Sequence, residues 1–234
     1  MDRPALAGPR VPRGVSGLRR DALLERTHPD AEGAVGGAGR TAADPLTIVD
    51  QLLLERIVET IDRRHAEDPA GREAAYARAM SGHLEALQKA PSDALRIAVR
   101  AQHFERWLYP RSDFPPGREG YLRWRAEAAR RQAEAVGRLL GSHDVDAATT
   151  ERVQALMMKR NRLREPEAQT LEDCACLVFL ESELARFAAG REPERVVAIL
   201  RRTWRKMSEP GRRRALELPM DRSSRDLLDQ AIRP

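Results

Sequence analysis

Cysteine is scarce in this chain, which argues against a disulfide-stabilised secreted fold. The 234 residues contain only Cys174 and Cys176, and an i, i+2 pair on a helix points to different faces. Such a pair does not readily close a disulfide, and two thiols without a disulfide framework are typical of a reducing compartment. We therefore expect two small buried apolar side chains in a cytoplasmic protein.

Long apolar runs are also missing. No stretch approaches the roughly 20 apolar residues of a membrane-spanning helix, so we expect no membrane partner. The N-terminus lacks the apolar segment of a secretory signal. It is rich in arginine, but Asp2, Asp21, Glu25 and Asp30 argue against a transit peptide.

Lysine is rare, and this scarcity weakens the case for nucleic-acid binding. The net charge of +5 comes from 41 basic and 36 acidic residues, and all but three of the basic residues are arginine. Arginine stays protonated at any relevant pH and therefore inflates the pI of 9.7. The two signs are interleaved, as on a solvated helical surface, so a nucleic-acid partner is not expected.

Strand signals are weak throughout, and helical periodicity predicts the fold. Residues 1–45 are rich in Pro, Gly and Arg and bury too little apolar surface to offset chain entropy, which predicts a disordered tail. Residues 46–234 are predicted to form one compact all-α bundle of about seven core helices, followed by a short helical pair. The predicted core helices begin near residues 45, 73, 92, 118, 146, 170 and 193.

The stretch Ala98–Arg111 concentrates polar and aromatic chemistry where a helix runs into a Pro-rich turn. His103 has a side-chain pKa near neutrality and suits metal ligation or proton transfer; alternatively it caps helix-end carbonyls. The guanidinium groups of Arg100, Arg106 and Arg111 are predicted to gather an anion such as phosphate, with surface ion pairs as the alternative.

Two acidic residues on the apolar sixth helix are further candidates. Asp173 and Glu181 lie eight residues apart, so both can share one helix face. A carboxylate in an apolar stretch is costly unless it is paired, and Arg100 or Arg125 is the expected partner of Glu181. Asp173 alternatively closes a capping box with Thr170.

Other side chains extend this set with alternatives left open. Glu172 is an alternative to Asp173 as the carboxylate that faces the cleft. Lys159 opens a basic loop that forms either an anion-binding rim or a solvated surface. Tyr121 and Trp124 either line a pocket wall or pack a helical corner.

Three groups of motifs, taken in order, resemble the family known as domain of unknown function 4202. They are HFERWLYPR (103–111) with GYLRWR (120–125); VQAL (153–156) with EPEAQTLED (165–173); and ACLVFLE (175–181) with ILRRTWRKMS (199–208). The similarity covers about Leu53 to Leu218, and it implies an all-helical protein.

A weaker analogy to HD-type metal phosphohydrolases implies a divalent metal held by His103 and Asp173, since imidazole and carboxylate ligate borderline metals. Phe104 stands where an HD pair has Asp. Gln132 stands in the segment Arg131–Ala133, where the resemblance implies a further His.

Two hypotheses about function follow. The first is hydrolysis of a phosphorylated small molecule, with His103, Asp173 and Glu181 as catalytic residues and His103 and Asp173 as metal ligands. The second is a non-enzymatic helical module that binds an anionic ligand or a protein partner. Both predict that segments far apart in sequence converge on one cleft, with these residues as substrate-binding candidates: Arg100, Arg106, Arg111, Tyr121 and Arg125.

Overall fold

Ten α-helices and no strand make up the part of the chain that the computed structural model describes, residues 51–159 and 164–233. The all-α prediction is confirmed. The helices are α1 (Gln51–His65), α2 (Glu73–Leu87), α3 (Asp93–Arg100), α4 (Gly117–Ser142), α5 (Ala147–Met157), α6 (Pro166–Val178), α7 (Leu184–Ala188), α8 (Pro193–Lys206), α9 (Glu209–Glu217) and α10 (Arg222–Ile232). The predicted tail, residues 1–45, lies outside the described residues.

Helix α6 joins two groups of buried apolar side chains. One group lies among α1 to α6 and includes Cys174 and Val178, and the other lies among α6 to α10 and includes Cys176 and Leu177. Opposite faces of the same helix are therefore buried, as its apolar composition predicts. Both cysteines are buried and free. Within the described residues no helix is long and apolar enough to cross a bilayer.

The beginning of α6 differs from the prediction. The helix begins at Pro166, not at Thr170, because Pro at the first helical position has the right φ and lacks an N–H that would go unsatisfied. Glu165 is the N-cap, and Arg152 pairs with Glu165 at 2.8 Å and with Glu167 at 2.6 Å. The capping-box interpretation of Thr170 and Asp173 is therefore wrong, since both residues lie inside the helix.

A π-helical turn, Phe179–Glu183, separates α6 from α7 in the segment where the sequence predicts an uninterrupted helix. Such turns hold one extra residue per turn and are frequent at functional sites. Here Glu181 meets His83 of α2, with 3.0 Å between Oε2 and Nε2, while Glu183 and Phe179 line the cleft described next.

The chain after α3 turns sharply. His103 and Glu105 have left-handed backbone conformations, with φ of 64° and 56°. Two short 3₁₀ turns follow, Arg106–Leu108 and Arg111–Asp113. This path carries His103 and Arg106 off the helix axis and into contact with α2 and α4.

Candidate functional site

A cleft of about 550 Å³ opens where the turn after α3 meets α4, the end of α5, α6, the π-helical turn and α8. Its volume lies in the range of small-molecule sites. Three segments far apart in sequence contribute to its walls, within residues 102–106, 121–132 and 172–179. Of the predicted site residues, the cleft holds these: His103, Arg106, Tyr121 and Arg125.

Positive charge exceeds negative charge on these walls. The cleft contains Arg106, Arg125, Lys159 and Lys206, against the carboxylates of Glu172 and Glu183. Neither Arg106 nor Arg125 forms an ion pair with any described residue; each instead lies over an aromatic ring, Trp124 at 5.0 Å and Tyr121 at 5.9 Å. Both guanidinium groups therefore have N–H donors that are available to bind an anion.

Glu172 neutralises part of this charge. The residue is 6% exposed, and its carboxylate lies 2.5 Å from the Lys159 Nζ and 3.6 Å from the Lys206 Nζ. Burial opposes ionisation of Glu172, but the two ammonium groups outweigh it and hold its pKa below the ordinary value. Of the two neighbouring carboxylates, it is therefore Glu172 that faces the cleft, and not Asp173.

His103 lies at the boundary between this cleft and an adjoining pocket of about 420 Å³. Its ring stacks on Tyr76, with 4.1 Å between ring centroids. The Arg106 guanidinium contacts Nε2, and Nδ1 lies 3.2 Å from the Glu73 Oε2. Because arginine can only donate, Nε2 accepts and Nδ1–H donates to Glu73, which defines a neutral imidazole.

The electrostatics of His103 agree with this neutral form. Loss of hydration, and then the Arg106 charge, hold the pKa of His103 well below its ordinary value. Burial raises the pKa of Glu73. The alternative that His103 caps helix-end carbonyls does not describe the structure, because both ring nitrogens contact side chains.

Backbone strain is concentrated here. Four non-glycine residues among those described have a positive φ, and two of them, His103 and Lys159, line the cleft. Left-handed conformations of such residues cost roughly 1–3 kcal/mol and cluster at functional sites.

Two buried carboxamides complete the walls. Gln132 is 8% exposed, and its side chain makes no hydrogen bond with a described residue. Gln102 is 7% exposed, and its Nε2 donates to the Ala98 carbonyl at 3.3 Å, while its Oε1 accepts no hydrogen bond within the described part of the chain. Sequence reasoning considered Gln132 only as a substitute for a metal ligand and assigned no site role to Gln102, Glu73, Tyr76 or Lys206.

Two predicted anion ligands have other partners. Arg100 forms a two-pronged pair with Asp62, at 2.7 Å from Nε and 2.5 Å from Nη2. Arg111 donates to the carbonyls of Phe114 and Pro115, at 2.8 and 2.7 Å, and thereby holds the loop before α4. The structure does not bring these two guanidinium groups to the cleft.

Asp173 is turned toward α9. Its Oδ1 accepts from the Ser208 N–H at 2.9 Å and from the Gln169 Nε2 at 3.0 Å, and its Oδ2 accepts from the Ser208 hydroxyl. Glu181 pairs with His83 and not with the expected arginines. The catalytic roles predicted for Asp173 and Glu181 stay predictions, and each residue has a structural partner.

The residues present do not fit a divalent metal held by His103 and Asp173. Arg106 occupies the unprotonated nitrogen of His103, and three hydrogen-bond donors occupy Asp173. Among the described residues, no group of three or more His, Cys, Asp or Glu side chains is placed to hold a metal ion.

Comparison with known proteins gives the family. Neither the curated proteins nor the solved structures contain a match to this chain. The family model of the domain of unknown function DUF4202 matches residues 55–228, which are most of the chain and include every residue of the cleft named above. The chain therefore belongs to the DUF4202 family.

Proposed function

We propose that the cleft binds a small molecule carrying a phosphate or a similar anion. The observation that carries this proposal is the excess of positive charge. Neither Arg106 nor Arg125 pairs with a carboxylate of the described residues, and the two lysines beside them share Glu172. The paired N–H groups of an arginine side chain match phosphate oxygens in geometry and charge. The concave wall of the cleft shields such a contact from water.

A thermal-shift titration with inorganic phosphate and with ribose 5-phosphate tests the proposal. A ligand at about 100 times its Kd stabilises by roughly 2.7 kcal/mol, which raises the Tm of a domain of this size by about 5–10 °C. We expect Arg125→Gln to weaken binding by at least about tenfold, because a charge-assisted hydrogen bond is worth roughly 1.5–3 kcal/mol.

The matched control is Arg222→Gln, an exposed position on α10 with the same change of charge. Equal weakening in both variants contradicts a specific site, as does the absence of binding by the wild type.

The second candidate function is hydrolysis of a phosphate ester in the same cleft, and the neutral His103 favours it. When Arg106 turns to a bound anion, the lone pair of Nε2 becomes available to a water molecule. The water oxygen then attacks phosphorus, Nε2 takes the water proton, and the bond to the leaving oxygen breaks as that oxygen takes a proton from solvent.

Release of inorganic phosphate from the compounds that bind distinguishes hydrolysis from binding alone. Hydrolysis that is lost in His103→Asn supports the base role. Hydrolysis that persists in this variant eliminates that role, and intact ligands after prolonged incubation leave binding as the function.

A further inference from the structure

We propose that the ligand of this cleft is a nucleotide, with its phosphate at the arginines and its base at the two carboxamides. This inference rests on the proposed anion-binding function and names the chemistry at the other end of the ligand. It starts from Gln102 and Gln132, which the binding of phosphate does not require.

The carboxamides form part of the cleft wall. Gln132 is 8% exposed and makes no hydrogen bond with any described residue, and the Oε1 of Gln102 has no described partner either. These amide atoms are not fully buried, so they are accessible from the cleft. A ligand with its own donors and acceptors finds partners here, since a carboxamide offers an acceptor oxygen and two N–H donors.

The same part of the cleft is suited to a flat ring. On α4, Ala128 and Ala129 precede Gln132 and leave space beside the helix, and Met157 and Met158 lie at the end of α5. Methionine adapts its shape and makes favourable sulfur–aromatic contacts. A heterocycle with hydrogen-bonding edges matches these surroundings better than an aliphatic chain, which leaves both amides unpaired.

The length of the cleft favours a phosphate and a ring in one molecule. Arg125 and Gln132 lie on the same helix, seven residues apart, which corresponds to about 10 Å along the helix axis. Inorganic phosphate or a sugar phosphate alone reaches the cationic end and leaves the amide end empty. A nucleoside monophosphate places a base edge and a phosphate at opposite ends of a ribose.

Binding of AMP, GMP, CMP and UMP, compared with ribose 5-phosphate by isothermal titration calorimetry, tests the inference. We expect at least one nucleotide to bind about tenfold or more tightly than ribose 5-phosphate, because paired amides contribute on the order of 1–3 kcal/mol. Gln132→Leu should remove most of this preference and leave ribose 5-phosphate affinity within about twofold.

Two further variants make the result specific. Gln132→Glu keeps the shape but removes the N–H donors, so it should change the order of preference among the four nucleotides. Gln230→Leu, on the exposed face of α10, is the matched control and should change nothing. Circular dichroism verifies that each variant is folded.

The outcomes separate this inference from the proposed function. Nucleotides that bind no more tightly than ribose 5-phosphate, with binding still sensitive to Arg125→Gln, overturn the nucleotide and leave the anion site intact. A nucleotide preference that survives in both Gln132→Leu and Gln132→Glu also overturns it. No binding by any phosphorylated compound overturns both proposals.

Discussion

At the scale of single residues, Asp173 shows how a carboxylate that resembles a catalytic group can hold two helices together. It is 2% exposed, lies on α6, and accepts hydrogen bonds from Ser208, the N-cap of α9. Burial raises the pKa of Asp173, although the bonds from Ser208 and Gln169 oppose this shift. A carboxyl group whose pKa is higher in the folded state contributes less stability as pH rises through that pKa.

This environment predicts different effects for two substitutions. Asp173→Ala should lower the free energy of unfolding by about 2–4 kcal/mol, because the Ser208 N–H and hydroxyl lose their acceptor. Asp173→Asn should lower it by less than about 1 kcal/mol, since a neutral amide still accepts from Ser208 and carries no charge to bury.

Urea unfolding at pH 7 measures both values. An Asn variant that is as unstable as the Ala variant contradicts this account and indicates that the negative charge itself is needed.

At the scale of elements, glycine decides how closely α4 approaches the preceding loop. A Cβ at Gly120 would lie 1.9 Å from the Pro115 carbonyl oxygen, which Arg111 also binds. A Cβ at Gly82, inside α2, would meet nothing within 4 Å.

Alanine should therefore have opposite effects at these two helical positions. Gly120→Ala should destabilise by about 1–3 kcal/mol, because backbone must move to relieve the clash. Gly82→Ala should stabilise by roughly 0.5–1 kcal/mol, through helix propensity alone. Thermal unfolding of the two variants tests this pair, and a Gly120→Ala protein as stable as the wild type contradicts the close approach.

At the scale of the whole molecule, three histidines make stability depend on pH. Burial lowers the pKa of His65 and His83, and it acts with Arg106 to lower that of His103. The unfolded chain then binds more protons than the folded chain below about pH 6.5, so stability is present above that pH and is lost as pH falls toward the folded-state values.

Between pH 7.5 and 6.0 this effect should lower the free energy of unfolding, by at most about 0.8 kcal/mol for each histidine. Chemical unfolding at the two pH values measures it, and His83→Gln should make the difference smaller. Equal or greater stability at pH 6.0 contradicts the neutral, buried state of these rings.

The sequence predicts the fold better than the site, for physical reasons. Apolar periodicity predicts where α2 and α8 begin, because burial of one face is a local pattern. It predicts that α6 begins at Thr170, whereas the helix begins at Pro166. Proline at the first helical position and the ion pair between Arg152 and Glu165 stabilise this earlier start. The tertiary partners of Asp173 and Arg100 have no local signal, so sequence reasoning placed both residues in the cleft.

Two of the four residues that sequence reasoning correctly places on the cleft, His103 and Arg106, share a window with a turn and aromatic rings. The carboxamides of Gln102 and Gln132 look ordinary in sequence, because a glutamine on the outer surface and one in the wall of a cleft have the same letter. Only packing distinguishes them.

The left-handed backbone at His103 and Lys159 is strained, but the side chains of both residues offset that strain. Glycine adopts this conformation without strain. Glycine at position 159 would remove an ammonium group that compensates the buried carboxylate of Glu172, and glycine at position 103 would remove the ring that stacks on Tyr76. Selection for heat resistance alone would therefore keep both side chains, and the strained backbone with them.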